Sequence, residues 1–323
     1  MSEGDLLGRG VCARALDSGG TGVTQAPPRE PLFEPSFVRA LESLALAGRR
    51  VPSGRSAGQW RSRASGSSVE FSDYRTYAPG DEFRRIDWNA YARLERLFVR
   101  LYRAEEDLAL SLVMDTSSSM DWGRPTKARL AAQLAGALAF LALHSGDRVD
   151  LVTCRDTAVA QRLTNLRGNA ATWTAWRLLE QLDCDGATDL NAALSTFARQ
   201  VRGAGLTIVI SDLFSPSGYQ AGIDALLARR QEVLLLHVLA PDELQPPAEL
   251  VGEWRLIDTE PAAPLEATIT PGVLRAYRRL LQAYIDEAQE FCRRRGMTYV
   301  QLRSDTPVSN IVLRTFRTIG VVV

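Results

Sequence analysis

The chain has 323 residues, of which 46% are apolar and 24% charged, and Lys plus Arg equal Asp plus Glu at 38 each. That apolar content supports one large core or two smaller ones and excludes a chain disordered throughout. The balanced charge excludes a whole-molecule attraction to nucleic acid or to an anionic membrane, so any such binding has to be local.

The opening MSEGDLLGRG lacks a basic segment followed by an apolar core, so no secretory leader is expected. Residues 1–31 are rich in Gly, Ser, Thr and Pro and poor in large apolar groups, which predicts a disordered tail. From Ser36, the spacing of Phe37, Leu41 and Leu44 predicts a helix with Ser36 as its N-cap, ending near Gly48. Arg49, Arg50, Arg55, Arg61 and Arg63 then lie among Gly and Ser, the composition of a solvated basic linker.

The stretch APGDEFRRIDWNAYARLERLFVR closes a segment, 32–106, that carries this helix, the basic loop and a small subdomain. Pro79 and Gly80 mark a turn, and Arg84, Arg85, Asp87, Trp88 and Arg93 crowd charge and an indole into ten residues. One reading is structural: Asp87 pairs with an arginine and Trp88 packs beneath it. The other is a partner-docking surface, because Arg and Trp are common anchors of interfaces. A basic groove for nucleic acid is the third and is not expected.

Over 107–306, apolar runs alternate with helical patterns. LALSLVM, DRVDLVTC, LTIVISD, EVLLLHVLA, WRLID and MTYVQL read as strands. Helices are expected over TKARLAAQLAGALAFLALH, Ala170–Leu182, Leu190–Val201, Tyr219–Arg230 and Gly272–Arg295. This alternation predicts an α/β fold with a mostly parallel, doubly wound sheet and an N-terminal extension. Right-handed crossovers put every strand's C-terminal end on one edge, where such sheets bind ligands. The most apolar run, Leu134–Leu143, is about half of the roughly 20 residues needed to span a bilayer, so no membrane span is expected. Residues 307–323 read as a short helix and an apolar tail.

The chemistry gathers on that edge. LALSLVMDTSSSM carries Asp115, Ser117 and Ser119 past the first strand, DGATDL puts Thr188 and Asp189 before a helix, and LTIVISD ends in Asp212. Three segments thus deliver hard oxygen donors to one place, the ligand set of a divalent ion in octahedral coordination: Mg2+ first, with Mn2+ or Ca2+ as alternatives. Hydroxyl donors leave the ion's charge incompletely cancelled, so an open position attracts an outside carboxylate. The plainer alternatives stay open: a serine-rich loop and cap without metal, Thr188 or Asp189 as a helix cap, Asp212 bonding a turn.

DTSSSM, GATDL and ISDLF resemble the three loops of a von Willebrand factor type A domain with its metal-ion-dependent adhesion site. VEFSDYRTYAPGDEFRRIDWNAYARLERLFVRLYRAEEDL resembles the signature of the bacterial family called domain of unknown function 58, and the two together cover about Ser67 to Thr306. The resemblance implies Rossmann-type layering and a metal held by Asp115, Ser117, Ser119, Thr188 and Asp212, with both aspartates often acting through water. It implies a non-enzymatic adaptor or chaperone-like partner of a MoxR-type AAA+ ATPase, with no enzymatic activity in general. Two departures stand out. Many relatives carry two N-terminal transmembrane helices, of which none is expected here, and Asp189 stands where some adhesion-type relatives have Asn.

Enzyme parts are sparse. There are two histidines, of which His237 sits inside the apolar LLLHVL as a core residue would and His144 suits the last turn of its helix. GxSxG occurs once, as GRSAG at 54–58, within the basic Gly/Ser loop rather than between an apolar strand and a helix as a nucleophile elbow requires, and GxxxxGK[ST] and a GxGxxG dinucleotide fingerprint are absent. A metal-dependent phosphoryl hydrolase on the same strand-end acids is the surviving alternative. Cys12, Cys154, Cys184 and Cys292 show no disulfide or zinc spacing, which with the other features predicts a cytoplasmic protein.

Overall fold

The computed structural model describes residues 31–48, 68–78, 81, 83, 86–105, 109–256 and 265–319. The predicted tail up to residue 30, the basic loop 49–63, and Arg84 and Arg85 therefore lie outside the described residues, as does Cys12. The chain divides into a smaller unit, Arg61–Leu108, and a larger one made of the remainder.

Helix α1 (Pro35–Gly48) belongs to the larger unit, although it was expected with the upstream segment 32–106. It starts one residue before Ser36, which is therefore not the N-cap. The carbonyl of Glu34 accepts from Phe37 N and Val38 N, and Pro35 supplies a φ already set for a first helical position. The Ser36 hydroxyl instead donates to the Glu34 carboxylate at 3.3 Å. Phe37, Leu41 and Leu44 are buried, as their spacing predicts.

In the smaller unit, strands β1 (Ser68–Thr76) and β2 (Phe98–Glu105) pair antiparallel around helix α2 (Trp88–Leu94). Asp87 caps α2, its carboxylate accepting from Asn89 N at 2.9 Å and Ala90 N at 3.0 Å. Trp88 is 59% exposed and meets Tyr91 edge-on, so it does not pack beneath a charged pair as the structural reading expected. Arg93 is exposed in the last turn, and Phe83, Tyr91 and Leu94 are exposed as well.

The larger unit is a six-stranded sheet flanked by helices. Along the chain it runs β3 (Ala109–Asp115), α3 (Lys127–Ser145), β4 (Arg148–Arg155), β5 (Ala158–Leu166), α4 (Ala171–Glu180), α5 (Leu190–Gln200) and β6 (Gly205–Ser211). It continues with α6 (Gln220–Ala228), β7 (Gln231–Leu239), α7 (Pro241–Leu244), β8 (Gly252–Leu256), β9 (Leu265–Ile269), α8 (Pro271–Arg294) and β10 (Thr298–Arg303). The spatial order is β10-β7-β6-β3-β4-β5, all parallel except the edge strand β5, which runs antiparallel to β4. The sequence WRLID is not part of this sheet: β8 pairs with β9 in a separate antiparallel pair. The C-terminal turns Val308–Asn310, Ile311–Thr315 and Phe316–Thr318 bury Ile311, Val312 and Phe316.

Alternation along the buried strands sorts the core into two faces. Val113, Val152, Val209 and Leu235 meet α5, α6 and α8 through Leu194, Phe197, Ile223 and Ala288. On the other face α3 packs against β3, β4 and β7, with α4 and α1 outside it. Gly136 allows α1's leading arm to lie close, because a Cβ there would stand 2.9 Å from Leu32 Cδ2. At 19 residues α3 is long and apolar enough to cross a membrane, but 72% of its apolar window is buried inside the fold. Placing β3 and β6 side by side decides where ligand chemistry can gather. The chain leaves β3 toward β4 on one side and reaches β6 on the other, which opens a crevice at their C-terminal ends.

Candidate metal centre

Asp115 ends β3 and Asp212 follows β6, so the two acids stand at the ends of neighbouring parallel strands. Ser211 ties them together: its hydroxyl donates to Asp115 Oδ2 at 2.7 Å and accepts from Leu213 N at 2.9 Å. The other Asp115 oxygen accepts from Ser117 N at 3.0 Å. Leu213 holds a left-handed φ of 63°, a conformation that costs a branched residue roughly 1 kcal/mol or more. Full burial and a 2.6 Å bond from Tyr284 Oη to its carbonyl keep it there, fixing the turn that presents Asp212.

The loop carrying Thr188 is laced to the serine loop by backbone bonds, Ser118 N to Gly186 O at 2.8 Å and Asp185 N to Thr116 O at 3.1 Å. Asp189 is the N-cap of α5, accepting from Ala192 N at 2.8 Å and from the Ser217 hydroxyl at 2.5 Å. That settles the choice between the two neighbours: Asp189 caps the helix, and Thr188 does not. The Thr188 hydroxyl is buried and has no hydrogen-bond partner. Leaving a buried hydroxyl unsatisfied costs about 1–3 kcal/mol unless something else meets it.

Ser117 Oγ and Ser119 Oγ lie 3.0 Å apart. Adjacent vertices of an octahedron around Mg2+ at about 2.1 Å are separated by about 3.0 Å, so one ion can take both hydroxyls without moving them. Among the described residues no three His, Cys, Asp or Glu side chains cluster as metal ligands. The donors are thus hydroxyls with two carboxylates, a hard-oxygen set suited to Mg2+ or Mn2+ rather than to zinc. An orphaned Thr188 hydroxyl, on a loop bonded to the one that pairs the serine hydroxyls, fits such an ion.

Electrostatics separates the two aspartates. Burial, together with the facing Asp212, pushes the Asp115 carboxyl above its usual range. Burial works in the same direction on Asp212, but the Lys127 ammonium at 2.7 Å outweighs it and holds that carboxyl below its usual range, with the Ser119 hydroxyl adding to the effect. Lys127, the first residue of α3, is fully buried and also bonds Glu243 Oε1 at 2.5 Å. Burial works against its charge, yet the two carboxylates prevail and keep it protonated. Lys127, Ser211 and Glu243 were not singled out from the sequence. A lysine opening a helix reads as solvated, and nothing local in the sequence marks this one as buried.

His237 is a satisfied core residue, as its apolar surroundings predict. Its Nε2 meets Asp212 O at 3.0 Å and its Nδ1 meets Tyr299 Oη at 2.8 Å, which a neutral Nε2–H tautomer satisfies on both sides. Burial lowers its pKa to about 4. Because the unfolded chain binds the proton first, this histidine's contribution to stability is complete above about pH 6.5 and is lost as the pH falls toward 4. The stability of the wild type relative to His237→Gln should therefore drop by about 2–3 kcal/mol between pH 7.5 and 4.5, read from urea midpoints. A pH-independent difference would mean that the ring takes its proton as readily in the fold as in the unfolded chain.

Cys154 and Cys292 are buried free thiols, and burial pushes Cys292 up to about 11. Cys184, half-buried and free, is pushed up to about 12 by burial and then by the nearby Asp121 and Asp115.

A family model described as "Protein of unknown function DUF58" matches residues 73–290. Uncharacterized proteins of Mycobacterium tuberculosis and Mycobacterium bovis are each 29% identical over 282 residues, covering 86% of this chain and 88% of theirs. Among solved structures, the open conformation of the pilus adhesin SpaC from Lactobacillus rhamnosus GG aligns with a TM-score of 0.36 at 13% identity, over 67% of this chain and 30% of that one. Nothing about this chain follows from a likeness at that score. With two thirds of its length inside the matching model and bacterial relatives along most of it, the chain belongs to the DUF58 family.

Proposed function

We propose that this protein is a non-enzymatic, metal-dependent protein-binding module. Its larger unit has von Willebrand factor A-like layering and holds Mg2+ in an adhesion-type site formed by Asp115, Ser117, Ser119, Thr188 and Asp212. The observation that carries this reading is the buried, partnerless Thr188 hydroxyl on a loop bonded to the one that sets the Ser117 and Ser119 hydroxyls 3.0 Å apart. When bound, the ion would supply an electrophilic position for a carboxylate from another protein. Ser211 and the Leu213 turn hold Asp115 and Asp212 in place for it.

The partner we propose is a MoxR-type AAA+ ATPase or a client it remodels, met in the cytoplasm. The exposed Trp88 and Arg93 offer a second docking surface on the smaller unit. A metal-dependent phosphoryl hydrolase is the rival reading. An aspartyl-phosphate route would want a second acid close to Asp115, where DTSSSM places a threonine and serines instead. Pull-downs from the native host test the proposal. Ser117→Ala and Thr188→Ala should weaken partner capture, and EDTA should release the partner from wild type without unfolding it. Equal recovery of the same partner with EDTA would sink the metal-dependent reading.

A further inference from the structure

Lys127 is a residue that the metal reading alone does not call for. Its ammonium sits 5.4 Å over the Phe214 ring and is divided between carboxylates of two different segments, Asp212 Oδ2 and Glu243 Oε1. Glu243 is itself fixed, because its second oxygen accepts from Ala240 N at 2.7 Å where α7 begins. Asp212 is committed at both ends, to the ammonium and to Phe214 N at 3.0 Å. Its charge is thus met by a neighbour before it reaches any ion.

The cluster sets three carboxyl groups, Asp115, Asp212 and Glu243, against one ammonium, Lys127, so that with all four ionised three negative charges and one positive leave two negative. One divalent ion cancels that sum. We propose that Lys127 and Glu243 are a charge-setting pair for the metal centre. Lys127 draws Asp212 away from the ion, so the ion is held weakly and stays electrophilic, and Glu243 limits how strongly the buried ammonium repels it. This inference rests on the metal reading above. It adds two residues, neither of them a ligand, that set the affinity in opposite directions.

The test is a titration of Mn2+ into the full chain, followed by calorimetry and by the electron paramagnetic resonance signal of the free ion. Glu243→Gln keeps the side chain's shape and removes one negative charge, so it should weaken binding at least about fivefold. Lys127→Met removes the ammonium while keeping the stem against Phe214, so it should tighten binding by a similar factor. The double variant restores the charge sum and should return to within about threefold of wild type. Where Lys127→Met does not fold, the Glu243→Gln result decides alone. Wild-type binding with both variants shifted in the same direction, or with neither shifted beyond twofold, would overturn the charge-setting pair and leave the metal site standing. No binding by wild type or any variant would overturn the metal reading and this inference with it.

Discussion

Lys127→Ala is expected to destabilise the protein by about 3–5 kcal/mol in chemical denaturation. The substitution strips the partner from Asp212 and from Glu243 while both remain buried, and an uncompensated buried carboxylate costs far more than a surface pair returns. It also empties the space beside the Phe214 ring. Lys127→Met should cost less, since the thioether refills that space. Breaking the exposed Arg303–Asp305 pair with Arg303→Ala is the control, expected at no more than about 0.5 kcal/mol. A loss below 1 kcal/mol for Lys127→Ala would mean that water reaches the cluster and that its charges are not buried as the structure has them.

Asp115→Ala is expected to abolish divalent-ion binding, by at least about a hundredfold, while the fold stays intact. The asymmetry has a physical source. Removing Asp115 leaves the Ser211 hydroxyl and Ser117 N without an acceptor, which destabilises, but it also removes a buried charge that Asp212 repels, which offsets part of that loss. Net stability should change by no more than about 1–2 kcal/mol, whereas the ion loses one of its two carboxylates. Calorimetry with Mg2+ and a melting curve on the same sample check both halves. Unchanged metal affinity would remove Asp115 from the site.

Much of the architecture was legible because buried parallel strands are written as unbroken apolar runs. LALSLVM, LTIVISD and EVLLLHVLA could hardly be anything else, and their order implied one edge carrying Asp115, Thr188 and Asp212. The strand β5, AVAQRLTNL, escaped notice because an antiparallel edge strand is half solvated and carries polar residues that break the apolar signal. WRLID read as one more strand of the sheet, but its described part pairs with LEATI, a segment too short and polar to announce itself. The pairing of β1 with β2 was likewise hidden, because charged and aromatic residues are interspersed there without a clean period.

The site was legible as donor types at strand ends and not as a network. Ser117 and Ser119 could be placed by offset from Asp115, and Thr188 by the loop before a helix. That Asp189 would be the cap and Thr188 the orphan depended on backbone geometry. Lys127 and Glu243 stand 116 positions apart in the chain, and nothing local marks either as buried; only the fold brings them to Asp212. For Trp88 the sequence left packing and docking open, and the exposed ring, edge-on to Tyr91, sets the packing reading aside.

The most direct test of the metal centre is an anomalous diffraction measurement on crystals of the full chain soaked in Mn2+. The account predicts one peak within about 2.5 Å of Ser117 Oγ, Ser119 Oγ and Thr188 Oγ1, absent from crystals of Asp115→Ala treated in the same way. A wild-type map with no peak there, or with Thr188 Oγ1 turned to a protein acceptor and Mn2+ bound elsewhere, would contradict it.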